Sequence, residues 1–341
     1  MVGCVVARGR KVLGEGFHGR FGGPHAEIVA LRRCKGSARG ATVYVTLEPC
    51  CHHGKTPPCT EALLAAGIAR VVAPMADPHP QVRGRGFTAL RKAGVQVDVG
   101  LLADQAVALT APFTKLTREG RPWVILKWAQ SMDGKIATRS GDSKWISDET
   151  CRGHAHRTRG RIDAIIAGVG TVLRDDPLLT CRTGRPRRIA TRIVLDSRLR
   201  TPSTAQLVRT ARQTPTWIFC SREASARRVH ALEKTGCVVH RVGRPRYGLS
   251  LPRVLDVLGT HAMTNVLVEG GGAVLGSFFD QKLADECHVY IAPRLLGGRQ
   301  APGPLHGRGV ERVAEGVRLP DDARLRRLGN GYFLGVRMGQ R

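Results

Sequence analysis

Short apolar stretches alternate with amphipathic stretches through the first hundred residues. Runs that are β-branched, or that alternate between apolar and polar residues, predict strands at 1–6, 11–17, 42–47, 68–73 and 95–99. Apolar residues at helical spacing predict helices at 25–33, 59–66 and 86–93. Because strands and helices alternate, we expect a layered α/β domain.

A polar segment that contains glycine and proline, 117–122, interrupts this pattern and predicts a connector. Beyond it, a second series of short apolar runs predicts strands at 124–126, 164–167, 192–195, 216–219, 238–239, 266–268 and 288–291. We therefore expect two α/β domains, residues 1–117 and 118–341. With 341 residues, each domain is large enough to bury its own core.

The composition predicts a cytoplasmic protein without a membrane partner. No apolar run approaches the length of a membrane span, and the apolar start at 1–6 lacks the basic leader and cleavage site of a secretion signal. Ten cysteines in such a chain predict free thiols and metal ligands rather than disulfides.

The formal net charge of +27 raises the question of nucleic-acid binding. Aromatic residues make up only 5% of the chain and do not interleave with the arginines, as a base-stacking surface would require. We therefore expect no nucleic-acid partner. A basic surface that attracts phosphorylated metabolites accounts for the charge.

One cluster of residues carries candidate chemistry. His25 and Glu27 are followed by Cys50 and Cys59, and a proline precedes each cysteine. One imidazole and two thiolates would give Zn²⁺ three protein ligands and leave a fourth position for water, which loses its proton more easily there. In such a zinc deaminase site, Glu27 would shuttle protons between that water, the ring nitrogen beside the attacked carbon and the departing ammonia. His25 and Cys59 lie where helices are predicted to begin, and the helix dipole favours thiolate there.

The spacing leaves alternatives open. Eight residues separate Cys50 from Cys59, whereas the usual deaminase signature ends in P-C-x-x-C. Cys51, His52 and His53 are further possible ligands. A structural zinc site with four ligands, or a thiol cluster without metal, would use the same residue types.

Longer motifs around this cluster carry a resemblance to a known family. They lie at 22–27 (GGPHAE), 44–50 (YVTLEPC), 52–59 (HHGKTPPC) and 77–86 (DPHPQVRGRG), and continue at 126–127, 131–137, 141–146, 168–177, 268–271 and 292–298. In this order they resemble the bifunctional deaminase–reductase family of riboflavin biosynthesis over essentially the whole chain. The resemblance implies an α/β chain in which a cytidine-deaminase-like three-layer domain precedes a dihydrofolate-reductase-like α/β domain.

For the first domain, the resemblance implies a zinc site and a substrate site. The zinc ligands would be His25, Cys50 and Cys59, and Glu27 would be catalytic. The substrate contacts would be His18, His52, Lys55 and Asp77.

For the second domain, the resemblance implies NADPH as cofactor and a phosphoribosylated pyrimidine as substrate. Its cofactor positions fall on Ala129, Trp145, Thr171, Asp175, Ser197, Gly271, Gly272, Ala273, Val274, Leu275, Gly276 and Ser277. Its substrate positions fall on Ser143, Arg159, Leu179, Arg182 and Glu269.

Four of the side chains in the second domain suggest particular roles. Arg159 and Arg182 suit phosphate clamps, because guanidinium groups bind phosphate oxygens in pairs. Lys127 and Glu269 would lie near the ribose carbon that receives hydride, where one of them would handle the proton as the sugar opens. Alternatively, Lys127 is an outward lysine on an edge strand and Glu269 caps a helix.

The glycine run 270–272 follows the predicted strand 266–268 and opens a predicted helix. Such a turn can cradle a phosphate against backbone N–H groups, or it can let a helix pack closely on a sheet. The spacing does not distinguish the two, and the resemblance favours the cradle.

The chain departs from the family pattern at two places. Met1-Val2-Gly3 aligns inside the pattern, after a helix and a Thr-x-Pro-Asn-Pro segment that members usually carry, and His79 stands where asparagine is usual. We expect an N-terminally truncated sequence, caused by a misassigned start codon or by a real loss of the segment. A real loss would weaken deamination, because the asparagine contacts the pyrimidine in the family.

We therefore expect a bifunctional enzyme, a zinc hydrolase and an NADPH-dependent oxidoreductase, that forms a homo-oligomer. It would deaminate 2,5-diamino-6-(5-phosphoribosylamino)pyrimidin-4(3H)-one to 5-amino-6-(5-phosphoribosylamino)uracil and reduce the ribosyl chain to ribityl. The alternatives are a reductase with an impaired deaminase, a deaminase of nucleosides or RNA bases, and a zinc-stabilised binding module. The reductase-like half argues against the nucleoside deaminase, and Glu27 argues against the binding module.

Overall fold

The computed structural model describes residues 2–19, 22–54, 56–243, 248–321 and 323–338. The chain divides into two compact units, 1–119 and 120–341. None of the helices in the described ranges has both the length and the hydropathy that crossing a membrane requires.

The first unit contains every strand and helix predicted for it, with ends that differ by at most two residues. Its elements are β1 (Gly3–Arg8), β2 (Lys11–Phe17), α1 (Ala26–Arg32), β3 (Thr42–Val45), α2 (Cys59–Ala65), β4 (Arg70–Ala73), α3 (Arg85–Lys92), β5 (Gln96–Val99) and α4 (Ala103–Glu119). The predicted connector is partly wrong, because α4 continues to Glu119. The helix stops only where Gly120 adopts a φ of +68° and Pro122 follows.

The five strands of this unit form one sheet in the order β2-β1-β3-β4-β5. β1 pairs antiparallel with β2 and β3, and β3, β4 and β5 run parallel. Gly14 and Gly16 of β2 allow helix α1 to approach the sheet closely, since a Cβ at either position would clash with the α1 backbone at Ala30. This close packing fixes the start of α1, where His25 lies.

The second unit is larger and contains all seven predicted strands, several of them longer than expected. Its elements are β6 (Trp123–Ser131), α5 (Glu149–Arg159), β7 (Ala164–Gly168), α6 (Val169–Asp175), β8 (Thr191–Leu195), α7 (Gln206–Arg209), β9 (Thr216–Ser221), α8 (Ala226–Lys234), β10 (Val238–Val242), α9 (Leu251–Thr260), β11 (Asn265–Glu269), α10 (Gly272–Asp280), β12 (Glu286–Ala292), a 3-10 turn (Val313–Glu315), β13 (Leu325–Leu328) and β14 (Gly331–Arg337).

Nine strands form the sheet of this unit in the order β10-β9-β8-β7-β11-β6-β12-β14-β13. The seven strands from β10 to β12 run parallel, and β14 pairs antiparallel with β12. β11 inserts between β7 and β6, although it is formed much later in the chain. The carboxyl ends of β6, β7, β8 and β11 therefore meet at one edge, where open α/β sheets bind their ligands.

Candidate active sites

The structure brings His25, Cys50 and Cys59 together in the first unit, with their ligand atoms all within 4.8 Å of one another. Nδ1 of His25 lies 3.2 Å from Sγ of Cys59 and 3.5 Å from Sγ of Cys50. Tetrahedral ligands about 2.0–2.3 Å from zinc lie roughly 3.3–3.8 Å from one another. The three side chains therefore fit a single zinc ion.

Two helix starts and one loop position these ligands. His25 is the N-cap of α1, Cys59 is the first residue of α2, and Cys50 follows β3. Nε2 of His25 lies 3.4 Å from Oγ1 of Thr56, so the opposite ring nitrogen faces the thiols. The backbone N–H of Cys59 donates to Sγ of Cys50 at 3.3 Å. This N–H lies at the start of α2, where it stabilises the thiolate form of Cys50.

The pKa values of the two cysteines are shifted in opposite directions. The pKa of Cys50 is lowered to about 4, mainly by the side-chain hydrogen bond with Cys59; burial opposes this shift and the hydrogen bond with His25 adds to it. The same contact with Cys50, together with burial, raises the pKa of the Cys59 thiol. The thiolate form is thus favoured at Cys50, and the charge of a divalent cation would favour loss of the Cys59 proton as well.

Glu27 lies in the first turn of α1 and is 4% exposed. Burial is the main cause that raises its pKa, whereas its own backbone hydrogen bond lowers it. A carboxyl group with a raised pKa takes up and returns a proton near neutral pH more readily than an ordinary glutamate. Its place beside the His–Cys–Cys cluster therefore suits proton transfer rather than metal coordination.

Three of the four predicted substrate residues of this unit, His18, His52 and Asp77, lie in the described region around the cluster. The rings of His18 and His25 are 5.5 Å apart, and His52 stacks on His79 at 6.0 Å. Nδ1 of His52 is buried without a hydrogen-bond partner in the described part of the chain. Asp77 is 8% exposed, and burial raises its pKa. Lys55 lies outside the described residues.

The other possible ligands do not join the metal cluster. Within the described ranges, the group of His, Cys, Asp and Glu side chains that could hold an ion contains only His25, Cys50 and Cys59. The exposed ring of His53 instead faces Glu61 at 3.3 Å. Three protein ligands favour the catalytic type of zinc site over the structural type, which has four.

In the second unit, Glu269 at the end of β11 contacts two cations. Arg159 of α5 donates from Nε and Nη2 to the two carboxylate oxygens, each at 2.7 Å. Nζ of Lys127 in β6 lies 3.7 Å from Oε2 of the same carboxylate. β11 pairs with β6 so that Glu269 and Lys127 are register partners, which explains why their side chains meet.

This contact shifts the ionisation of both strand residues. Burial alone would raise the pKa of Glu269, but Arg159 and then Lys127 lower it to about 2. Burial is the main cause that lowers the pKa of Lys127, although Glu269 opposes it. A lysine with a lowered pKa exchanges a proton near neutral pH more easily than an exposed lysine.

Both alternative interpretations of these residues are wrong. β6 lies between β11 and β12, so Lys127 is not on an edge strand, and its side chain is 18% exposed. Glu269 binds Arg159 rather than capping a helix. Sequence reasoning missed the aromatic neighbour, Tyr290 of β12, whose ring centroid lies 5.4 Å from Nζ of Lys127.

A cavity of about 240 Å³ opens beside these residues. Its lining includes six residues that the sequence singled out: Lys127, Ala129, Ser143, Trp145, Arg159 and Arg182. Three lining residues that the sequence did not single out are Arg152, His156 and Tyr290.

The two predicted phosphate clamps have different surroundings. Glu269 occupies two donors of Arg159, and the carbonyl of Thr180 accepts from a third at 3.3 Å. Arg182 is exposed, and its guanidinium lies 3.4 Å from the ring of His156. Of the two predicted clamps, Arg182 therefore has the exposed guanidinium, whereas Arg159 holds Glu269 in place.

The other predicted ligand positions lie along the carboxyl edge of the sheet. Thr171 accepts a hydrogen bond from the Gly271 amide at 3.2 Å, Asp175 ends α6, and Ser197 follows β8. Leu179 is buried and adopts a φ of +50°. Trp145 is 67% exposed, and the Arg152 guanidinium lies 4.2 Å from its ring centroid.

The glycine segment has features that suit both interpretations that its sequence left open. A Cβ at Gly272 or Gly276 would clash with His306, so these two glycines allow close packing. A Cβ at Gly271 would meet nothing within 4 Å, so the backbone there faces open space beside the start of α10. The space in front of Gly271 and the helix start fits the phosphate cradle of a nucleotide cofactor.

Comparisons with known proteins agree with both sites. The family "RibD C-terminal domain" matches residues 122–334, and the "Cytidine and deoxycytidylate deaminase zinc-binding region" matches residues 1–75. The riboflavin biosynthesis protein RibD of Actinobacillus pleuropneumoniae is 40% identical over 94% of this chain and 84% of its own length.

Solved structures give the same result. RibD of Acinetobacter baumannii superposes with a TM-score of 0.86 and 34% identity, over 99% of this chain and 92% of that one. A diaminohydroxyphosphoribosylaminopyrimidine deaminase/5-amino-6-(5-phosphoribosylamino)uracil reductase from Thermotoga maritima gives a TM-score of 0.83 and 32% identity, with the same coverage. The expected fold class is confirmed: a cytidine-deaminase-like α/β domain precedes a dihydrofolate-reductase-like α/β domain.

Proposed function

Because the chain belongs to the RibD family of riboflavin-biosynthesis proteins, we propose that each unit holds one of the two active sites of a bifunctional enzyme. Riboflavin biosynthesis with deaminase and reductase activities follows from the family. The observation that carries the division is the pair of separate clusters: His25, Cys50 and Cys59 within the first unit, and Lys127 with Glu269 within the second.

The deaminase site uses His25, Cys50 and Cys59 to hold zinc. When bound, Zn²⁺ acts as a Lewis acid that makes a water molecule nucleophilic near neutral pH. Glu27 would take one proton from the water and deliver it to the ring nitrogen of the pyrimidine. It would then carry a second proton, from the newly added hydroxyl group, to the amino group that leaves as ammonia. Its burial and raised pKa support this role.

The substrate of this site is 2,5-diamino-6-(5-phosphoribosylamino)pyrimidin-4(3H)-one, in keeping with the activities named for the Thermotoga maritima relative. His52 presents a buried nitrogen without a partner among the described residues, which supports a polar contact with the pyrimidine. His18, Lys55 and Asp77 complete the proposed set of substrate contacts.

The reductase site uses the carboxyl edge of the large sheet. NADPH, when bound, supplies the hydride that converts the ribosyl chain to ribityl. We place its phosphates at Gly271 and the start of α10, beside Thr171. Lys127 handles the proton as the sugar opens, Glu269 and Arg159 hold the lysine in position, and Arg182 binds the substrate phosphate.

A single preparation tests the proposal. The purified chain should hold about one zinc per molecule, release ammonia from the diaminopyrimidine substrate, and oxidise NADPH with the deaminated product. Deamination by zinc-free protein would contradict the metal assignment. The expected homo-oligomer is checked on the same sample by light scattering.

The alternative of a reductase with an impaired deaminase is not favoured. An impaired site would be expected to lose its ligands or its acid–base residue. In this chain the three ligands converge, and Glu27 lies buried beside them.

A further inference from the structure

The Glu48 carboxylate accepts four backbone hydrogen bonds near the deaminase site. The proposed mechanism gives this residue no role. Glu48 follows β3, lies two residues before Cys50, and is 3% exposed. Its Oε2 accepts from the backbone N–H groups of Asp77 and Gly84, at 2.9 and 2.8 Å. Its Oε1 accepts from those of Gly86 and Phe87, at 2.8 and 3.2 Å.

These four donors belong to the two ends of one loop. Asp77 begins the loop, and Gly84, Gly86 and Phe87 lie where it leads into α3. By accepting hydrogen bonds from both ends, Glu48 holds the two ends of the loop together. Gly84 has a φ of +84°, and a Cβ at Gly86 would clash with the Pro49 carbonyl oxygen, so the loop end packs directly on the chain that leads to Cys50.

The closed loop carries two side chains that face the deaminase site. The Asp77 carboxylate accepts from the His79 amide at 2.8 Å, which ties the two residues together. The ring of His79 stacks on His52 at 6.0 Å with an interplanar angle of 10°. Through one carboxylate, the position of Asp77 and His79 is thus set relative to the metal ligand Cys50.

We propose that Glu48 is a positioning residue for deamination, which holds the 77–86 loop at a fixed distance from the zinc ligands and thereby sets the affinity for the pyrimidine substrate. This inference rests on the proposed deaminase function. All four donors are N–H groups, so the side chain must offer acceptors only. Glutamine would direct an NH₂ group at two of the amides, and the loop would have to move to relieve that contact.

The test compares Glu48→Gln with the wild type and with Glu15→Gln, a control at an exposed position on β2. Zinc content, NADPH-dependent reduction, and the KM and kcat of ammonia release are measured for each protein. A tenfold loss of affinity corresponds to about 1.4 kcal/mol of binding free energy, which is the size of about one hydrogen-bonded contact. We expect Glu48→Gln to raise the KM for deamination at least tenfold, with zinc content and reduction unchanged and Glu15→Gln like the wild type.

An unchanged KM with normal zinc content would overturn the inference. If Glu48→Gln fails to bind zinc, Glu48→Asp decides, because it keeps the carboxylate but withdraws it by one methylene. If Glu48→Asp binds zinc and its KM for deamination is raised, the inference is supported. If both variants lose zinc, Glu48 is required for folding of the segment that carries Cys50, and the inference is wrong. Absence of deamination in the wild type would be a failure of the proposed function, which is a different result.

Discussion

Replacing Arg159 by methionine tests the buried ion pair of the reductase unit. Methionine keeps most of the length of the side chain but removes the two 2.7 Å hydrogen bonds to Glu269. Among the described residues, Lys127 at 3.7 Å then remains as the ion-pair partner of Glu269, which is 6% exposed. Removing one partner of a buried pair costs about 3–5 kcal/mol, because the other charge remains buried.

The ionisation of Glu269 reflects the combined effect of burial, Arg159 and Lys127. Its pKa falls from an ordinary 4.5 to about 2 in the folded protein. At 1.36 kcal/mol per tenfold change in proton affinity, this corresponds to about 3 kcal/mol of stability at neutral pH. Since the folded pKa is the lower one, that stability is complete above pH 4.5 and is lost as the pH falls towards 2.

Urea unfolding followed by tryptophan fluorescence measures this effect in the second unit alone. All four tryptophans, at positions 123, 128, 145 and 217, lie there. Arg159→Met should lower the free energy of unfolding by about 3–5 kcal/mol at pH 7. The difference in free energy of unfolding between Arg159→Met and the wild type should become smaller as the pH falls from 4.5 to 2, because protonation of Glu269 removes the same interaction in the wild type.

Arg253→Met is the matched control. Arg253 pairs with Asp256 at 3.6 Å, but its side chain is 74% exposed. An exposed pair contributes about 0–1 kcal/mol. The reasoning is refuted if Arg159→Met costs no more than Arg253→Met at pH 7, or if its cost does not change with pH.

Three further substitutions separate the ligand sites from the fold. Gly271→Val should raise the Kd for NADPH at least tenfold without changing the urea midpoint, because the added side chain enters open space beside the cradle; unchanged affinity would reject the cradle. Gly276→Val should instead prevent folding of the second unit, since a Cβ there clashes with His306. Cys59→Ser should remove zinc and deamination while reduction persists, and zinc retained at the wild-type level would refute the ligand set.

The His–Cys–Cys cluster was predictable from sequence because its residue types match a zinc deaminase motif, and because two of its three members mark helix starts. His25 and Cys59 begin α1 and α2, and apolar periodicity shows where these helices start. The role of Glu48 was not predictable in this way. Its four partners are backbone N–H groups, and any residue type except proline supplies such a donor.

In the second unit, topology limits what periodicity can predict. β11 inserts between β6 and β7 although many residues separate it from them in the chain, so the contact of Glu269 with Lys127 and Arg159 depends on strand order. The strands β13 and β14 were missed as well. β13 reads Leu-Arg-Arg-Leu, a charged edge segment without the alternation that predicts a half-buried strand.

The central claim is that each unit holds one of the two active sites. Separating the two activities by single substitutions tests this claim most directly. Glu27→Gln should bind zinc and release no ammonia, yet reduce the deaminated substrate with NADPH. Lys127→Met should release ammonia but oxidise no NADPH, while Arg159 still pairs with Glu269. Mixed in one tube with the diaminopyrimidine substrate and NADPH, the two variants should together yield the deaminated ribityl product that neither yields alone. If either substitution abolishes both activities in a folded, zinc-loaded protein, the assignment of one active site to each unit is contradicted.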